Sequence, residues 1–189
     1  MHQVRGEEAS GSGRLACVQV RGDVVPGRQR EHASRMAAWA AGAGVGRVVV
    51  LASTASQFVR AREEGSGPAL GLSYACSGPD AEAWAGKCES LGFRPLAQDE
   101  ASDRPPGERR TQPWPLLAEL GARGVPATAL FAVASEADNT PDGIRMAEGA
   151  ARLLGLPRAP GDALARLAAA WPPPLSWRAL YGYRPGDLS

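Results

Sequence analysis

Few residues in this sequence could carry covalent chemistry, and their scarcity narrows the functions open to it. There are two histidines, His2 and His32, and three cysteines, Cys17, Cys76 and Cys88. A Ser/His/Asp or Cys/His device needs an imidazole set between a nucleophile and an orienting carboxylate. His2 lies in a polar N-terminal stretch, His32 falls on the solvent side of a predicted helix, and no G-x-S-x-G elbow occurs. The cysteines are odd in number and contain no C-x-x-C pair, so neither a disulfide framework nor a zinc site is indicated. Reduced, partly buried thiols are the expectation.

Two glycine patterns invite a nucleotide reading and fail it. Gly11-Ser12-Gly13 precedes a predicted strand, and Gly42-Ala43-Gly44-Val45-Gly46 falls between a helix and the next strand. A dinucleotide site needs strand, then glycines, then helix, so that amide N–H groups at a helix N-terminus face the phosphates. No cofactor site is expected. Arg21-Gly22-Asp23 matches a cell-adhesion tripeptide by coincidence of composition.

One acidic cluster remains, running from Ser135 through Asp138, Asn139, Thr140 and Pro141 to Asp142. Carboxylates at the C-terminal end of a strand in an open α/β sheet could serve metal binding or acid–base work. The same residues also spell a helix start. Asp138 and Asn139 bond locally to the turn, Thr140 caps, Pro141 takes the first helical position and Asp142 meets the positive end of the dipole. With no histidine to partner the carboxylates, the structural reading is favoured.

The elements that would position these residues read as an alternation of strands and helices. Residues 15–21 (LACVQVR) have the short β-branched character of a strand, and residues 28–41 set Ala33, Met36, Ala37 and Ala40 at helical spacing, with Trp39 on the flank. Residues 47–53 (RVVVLAS) are apolar without alternation, which predicts a strand covered on both faces. Together these form a βαβ unit with a right-handed crossover. A weaker strand follows at 69–74, then a helix at 79–91 with Ala81, Trp84, Cys88 and Leu91 inward. A short helix at 114–122 presents Leu116, Leu117 and Leu120, a second apolar strand spans 127–134, and a helix from 140 to about 154 buries Ile144, Ala147, Ala151 and Leu154. A further helix opens at Asp162 and stops at Pro172–Pro174. Trp84, Trp114 and Trp171 read as core or half-core residues. Trp177, Arg178, Tyr181 and Tyr183 lie near the end of the sequence, where aromatic and Arg side chains suit a partner interface.

At 189 residues the chain fits a single domain, with residues 1–13 expected as a disordered tail and the charged, proline-rich stretch 97–113 as a mobile loop. A net charge of +1 supplies no field to draw in nucleic acid or an anionic membrane. No apolar run approaches the roughly 20 residues that span a bilayer, and the N-terminus has no signal-peptide core. A soluble protein of cytoplasm and nucleus is expected.

Two runs resemble a known family. Phe131 to Gly143 (FAVASEADNTPDG) is similar to the strand-turn-helix of the proteasome assembly chaperone 2 family, which carries Ser-Glu-Gly-Asp-Asn-x-Pro-Asp-Ala there. Ser176-Trp177-Arg178-Ala179-Leu180-Tyr181-Gly182 resembles that family's C-terminal Ser-Trp-Arg-x-Leu-Phe-Gly. Weaker similarity covers the strands at 15–21 and 47–53. Pro106, Gly107 and Thr111 fit a proline-glycine-threonine loop, with Glu108 and Arg109 in place of further glycines. The resemblance implies a three-layer α/β/α domain with a mostly parallel sheet, and no enzymatic activity. Such a chaperone pairs with proteasome assembly chaperone 1 and helps α-subunits form the 20S ring. The similarity covers the C-terminal two-thirds of a family member, so a sheet incomplete at one edge is expected. The terminal Gly186-Asp187-Leu188-Ser189 lacks the tyrosine that some assembly chaperones insert between α-subunits. Two other readings stay open: a nucleoside-phosphorylase-like or hydrolase-like enzyme using the 135–142 cluster, and a non-functional shortened form.

Overall fold

The segment Ala127–Ala134 is apolar at every position but Thr128, and such a strand is stable when both its faces are covered. It becomes the middle of the sheet. The computed structural model describes residues 14–20, 22, 24–55, 71–96, 113–134 and 139–156. In chain order they form α1 (Gln29–Gly42), β1 (Val48–Ala55), β2 (Leu72–Ser77), α2 (Ala81–Ser90), β3 (Arg94–Pro95), α3 (Trp114–Ala122), β4 (Ala127–Ala134) and α4 (Thr140–Leu154). The strand order is β1-β4-β2-β3. β4 runs parallel to β1, from Val48 opposite Ala127 to Ala55 opposite Ala134. It is antiparallel to β2, from Leu72 opposite Ala132 to Ser77 opposite Ala127, and β2 is parallel to β3. Two parallel pairs thus meet at one antiparallel seam, in an open, mostly parallel sheet.

Alternation along β4 divides the core in two. Ala127, Ala129 and Phe131 face Ala37 and Ala40 of α1 and Leu117 and Leu120 of α3, with Val125. The ring of Trp114 stacks on Phe131 at 5.5 Å between centroids. Leu130 and Ala132 face the other way, toward Leu72 and Tyr74 of β2, Cys88 of α2, Phe93 and Leu153 of α4. The layers are therefore α1 and α3, the sheet, then α2 and α4. This is the three-layer α/β/α arrangement expected from the sequence. Among the described residues no helix is long and apolar enough to cross a membrane.

The structure corrects the expectations at several points. Residues 14–20 carry only an isolated bridge at Ala16, and Leu15, Val18 and Val20 are exposed, so the first βαβ unit is not formed among the described residues. Strand propensity measures fit to a pleated, half-buried surface, and this segment has no such surface beneath it. β1 is an edge strand rather than one covered on both faces: Val48, Val50 and Ala52 pack on one core and Val49 on the other, while Leu51 is 50% exposed. The weak strand expected at 69–74 lies later, at Leu72–Ser77. The short β3 was not predicted; its Pro95, which has no N–H, is tolerated on an outer strand. On α4 the buried residues are Ile144, Glu148, Gly149 and Leu153, while Ala147, Ala151 and Leu154 are half-buried. Glu148 accepts a hydrogen bond from Arg152 Nε at 2.8 Å, which is how a carboxylate comes to sit on the inner side.

Gly149 explains the turn of that helix. A Cβ there would overlap Leu72 Cδ1 and lie 3.5 Å from Phe93 Cζ, so the missing side chain lets α4 settle on β2. In an exposed helix, glycine to alanine gains up to about 1 kcal/mol. Here Leu72 is buried and has no free direction to retreat. Gly149→Ala is expected to lower stability by about 1–3 kcal/mol in a urea melt; an increase would show that α4 can lift off the sheet without cost.

Candidate functional site

Within the acidic cluster, the described residues Asn139 to Asp142 form the start of a helix. Residues 135–138, Asp138 included, lie outside the described residues. α4 opens at Thr140, so Thr140 is the first helical residue and Asn139 takes the N-cap position expected of Thr140. Among the described residues Asn139 makes no capping bond through its side chain and its buried Oδ1 has no hydrogen-bond partner, and its backbone sits at φ −88°, ψ 5°. Pro141 occupies the first turn, where its missing N–H costs nothing. Asp142 accepts a hydrogen bond from Arg145 one turn on, which occupies the carboxylate within its own helix. His32 is half-buried on α1. Among the described residues no group of three or more His, Cys, Asp or Glu side chains could hold a metal ion. Trp177, Arg178, Tyr181 and Tyr183 also lie outside the described residues.

The reactive groups that do converge are two of the cysteines. Leu72, Tyr74 and Cys76 share one face of β2, and the inward stripe of α2 brings Trp84 and Cys88 down onto that face. Cys76 stands directly opposite Thr128 of β4, with its Sγ 3.6 Å from Thr128 Oγ1. Cys88 is fully buried, and Cys76, which is half-buried, packs against the same cluster. Arg47 closes the group at its outer end. Its guanidinium carbon lies 3.5 Å from the centroid of the Trp84 ring, with Lys87 Nζ at 4.6 Å, and its Nη2 donates to Asp80 Oδ2 at 3.3 Å.

These contacts give the two sulfurs different acidities. The hydrogen bond from Cys88 favours the Cys76 thiolate, the Thr128 hydroxyl and the Arg47 charge add to it, and together they outweigh burial. The Cys76 thiol is held down at about 7, against 9.0 for an unperturbed thiol. Cys88 moves upward, because it is the donor in that bond and because it is buried. Close by, burial and then a 2.9 Å bond to Glu89 Oε1 push the Tyr74 phenol up. An accessible thiolate beside a protonated thiol is a nucleophilic arrangement. The sequence held a signal for this pair: Cys88 lies in the apolar stripe of its helix, and Cys76 keeps step with Leu72 and Tyr74.

A second feature is the outer edge of β1. Among the described residues its eight-residue backbone pairs only with β4. Leu51 sits opposite Leu130 but beyond the reach of α4, and stays half-exposed. The opposite edge of the sheet is blunted instead, since β3 has two residues and one is proline. Among the described residues the sheet therefore presents one long edge at β1 and one short edge at β3.

No family model and no curated protein matches this sequence. Among solved structures, PbaA of Pyrococcus furiosus, an archaeal homologue of proteasome-assembly chaperone, is similar with a TM-score of 0.51 and 18% identity. The chain shares the PbaA fold. The similarity covers 78% of this chain and 58% of PbaA, so the chain spans less than two-thirds of that protein's length. The monoclinic crystal form of PbaA matches with a TM-score of 0.49, 17% identity, and 78% and 54% coverage.

The thiol geometry predicts a pH profile. In a Cys17→Ser background, alkylation of Cys76 by iodoacetamide should rise with a midpoint at about pH 7, and Thr128→Val should move the midpoint upward by removing a donor. Because the folded-state value lies below the unfolded one, the thiolate's contribution to stability is complete above pH 9.0. It falls away as the pH drops and is lost below about 7. A midpoint at the ordinary thiol value would dissolve the hydrogen-bonded pair.

Proposed function

We propose that this chain is an assembly chaperone for the 20S proteasome, of the proteasome assembly chaperone 2 type. In this reading it forms half of a heterodimer with proteasome assembly chaperone 1, binds α-subunits in cytoplasm and nucleus, and does no covalent chemistry on them. The observation that carries the reading is the fold shared with PbaA. It is supported by the two sequence runs that resemble the family, 131–143 and 176–182.

The surface suits such a role. An unpaired apolar strand offers backbone N–H and C=O groups in a row, and a partner can add a strand to it. Leu51 would lie beneath such an addition. Trp177, Arg178, Tyr181 and Tyr183 are proposed as further partner contacts on the strength of the sequence motif. Asp142, bound to Arg145, and Asn139, at the helix N-cap, act in building the start of α4.

Co-purification from cell extract with mass spectrometry of the bound proteins tests the reading directly. The native chain should recover proteasome assembly chaperone 1 and α-subunits. Leu51→Asp should reduce that recovery while shifting the melt by no more than about 0.5 kcal/mol, as a surface change does. Tyr181→Ala should weaken it as well. Recovery of neither partner class by the native chain would reject the proposal, as would nucleoside phosphorolysis or ester hydrolysis lost in Asp138→Asn.

A further inference from the structure

We propose that the outer edge of β1 is an interface for a second copy of this chain, with two β1 strands pairing antiparallel about Leu51. The backbone geometry fixes which residues take part. Val48 opposes Ala127 in the parallel ladder with β4, and its N–H donates to the Pro126 carbonyl at 2.9 Å. Along a strand, successive residues aim their N–H and C=O groups to opposite sides, so every second residue serves a given neighbour. Val48, Val50 and Ala52 therefore bond to β4, while Val49, Leu51 and Ser53 aim their backbone groups outward. Among the described residues no strand pairs with that outward row.

The row fits its own copy. A two-fold axis through Leu51 sets Leu51 of one copy opposite Leu51 of the other, and Val49 opposite Ser53. These residues have the outward groups, so each forms a hydrogen-bonded antiparallel pair with Cα atoms about 5.5 Å apart. Larger side chains meet smaller ones, Val49 with Ser53 and Val50 with Ala52, and the half-exposed Leu51 gains a leucine beside it. Like charges directly opposite each other would oppose the pairing of identical strands, and Val48–Ala55 carries no charge. Arg47, just before the strand, is turned to Trp84 and Asp80. At the other side of the sheet, β3 has two residues and one is proline, so it offers no comparable row for a further copy. A symmetric contact through one edge closes at two chains instead of growing into a filament. Eight residues of edge make a small interface, so the pair forms reversibly. The second copy and the strand-adding partner of the chaperone reading compete for one row, and self-pairing covers it until a partner displaces the copy. The pairing itself does not rest on that reading.

Sedimentation of the full chain over a concentration series tests the proposal. The mass should rise from that of one chain, 19.7 kDa, to twice that value and stop there. Leu51→Lys and Leu51→Asp each set like charges face to face, and each should stay at the single-chain mass with the circular dichroism of the parent. An equimolar mixture of the two should dimerise, because lysine then faces aspartate across the two-fold pair. Amide exchange on the parent needs no variant. Val49, Leu51 and Ser53 should exchange more slowly at dimeric than at monomeric concentration, while Val48, Val50 and Ala52 stay unchanged. A single-chain mass at every concentration, species beyond two chains, slowing without that alternation, or folded variants whose mixture stays monomeric would each overturn the proposal. Recovery of proteasome partners by a chain that never self-associates would sink this inference and leave the chaperone reading standing.

Discussion

Strand β4 is hydrogen-bonded along both edges and covered on both faces, and every other described helix and strand except β3, which pairs with β2, is placed by one of those four contacts. Its odd positions, Ala127, Ala129 and Phe131, admit α1 and α3; its even positions, Leu130 and Ala132, admit α2 and α4. Small residues do much of this work. Ala127, Ala129 and Ala132 let helices approach a strand closely, as Ala37 and Ala40 do on α1 and Gly149 on α4. Close approach is how so short a sheet buries two separate clusters.

The single polar residue of β4 shows what that burial demands. Thr128 is fully buried, and a hydroxyl there needs a partner if its desolvation is to be offset. It finds one across the antiparallel seam in the sulfur of Cys76, and Cys76 in turn packs against the cluster that holds Cys88. A polar requirement of the core thus extends outward through two thiols to Arg47 and Trp84 at the rim. The same group of contacts that satisfies Thr128 makes one sulfur more acidic and the other less so. Stability and reactivity at this spot have one origin.

The two edges of the sheet carry a similar lesson. Natural sheets guard their outer strands with brevity, proline or charge. β3 has the first two, whereas β1 has eight residues, no proline and an exposed leucine. An unguarded edge of that length is a liability for an isolated chain and an asset for one that works by joining others.

Helix periodicity and capping residues by themselves placed α1, α2, α3 and α4 within two residues of their observed ends, and the apolar run at 127–134 marked the central strand. Those elements are decided by local spacing and by what the backbone allows. The scarcity of histidine was likewise legible, as was the start of a helix at 140–142. Pairing was not. Residues 15–21 and 47–53 look equally strand-like in sequence, yet 14–20 are exposed and carry only an isolated bridge at Ala16 while 48–55 join the sheet, because a strand exists only where another strand and a covered face await it. The helix cap falls at Asn139, one residue before the Thr140 that the sequence suggested. Cys76 and Cys88 read as two unrelated thiols until β2 and α2 fold onto each other. Side-chain types were written in the chain, but which of them touch was decided by the packing of helices on β4.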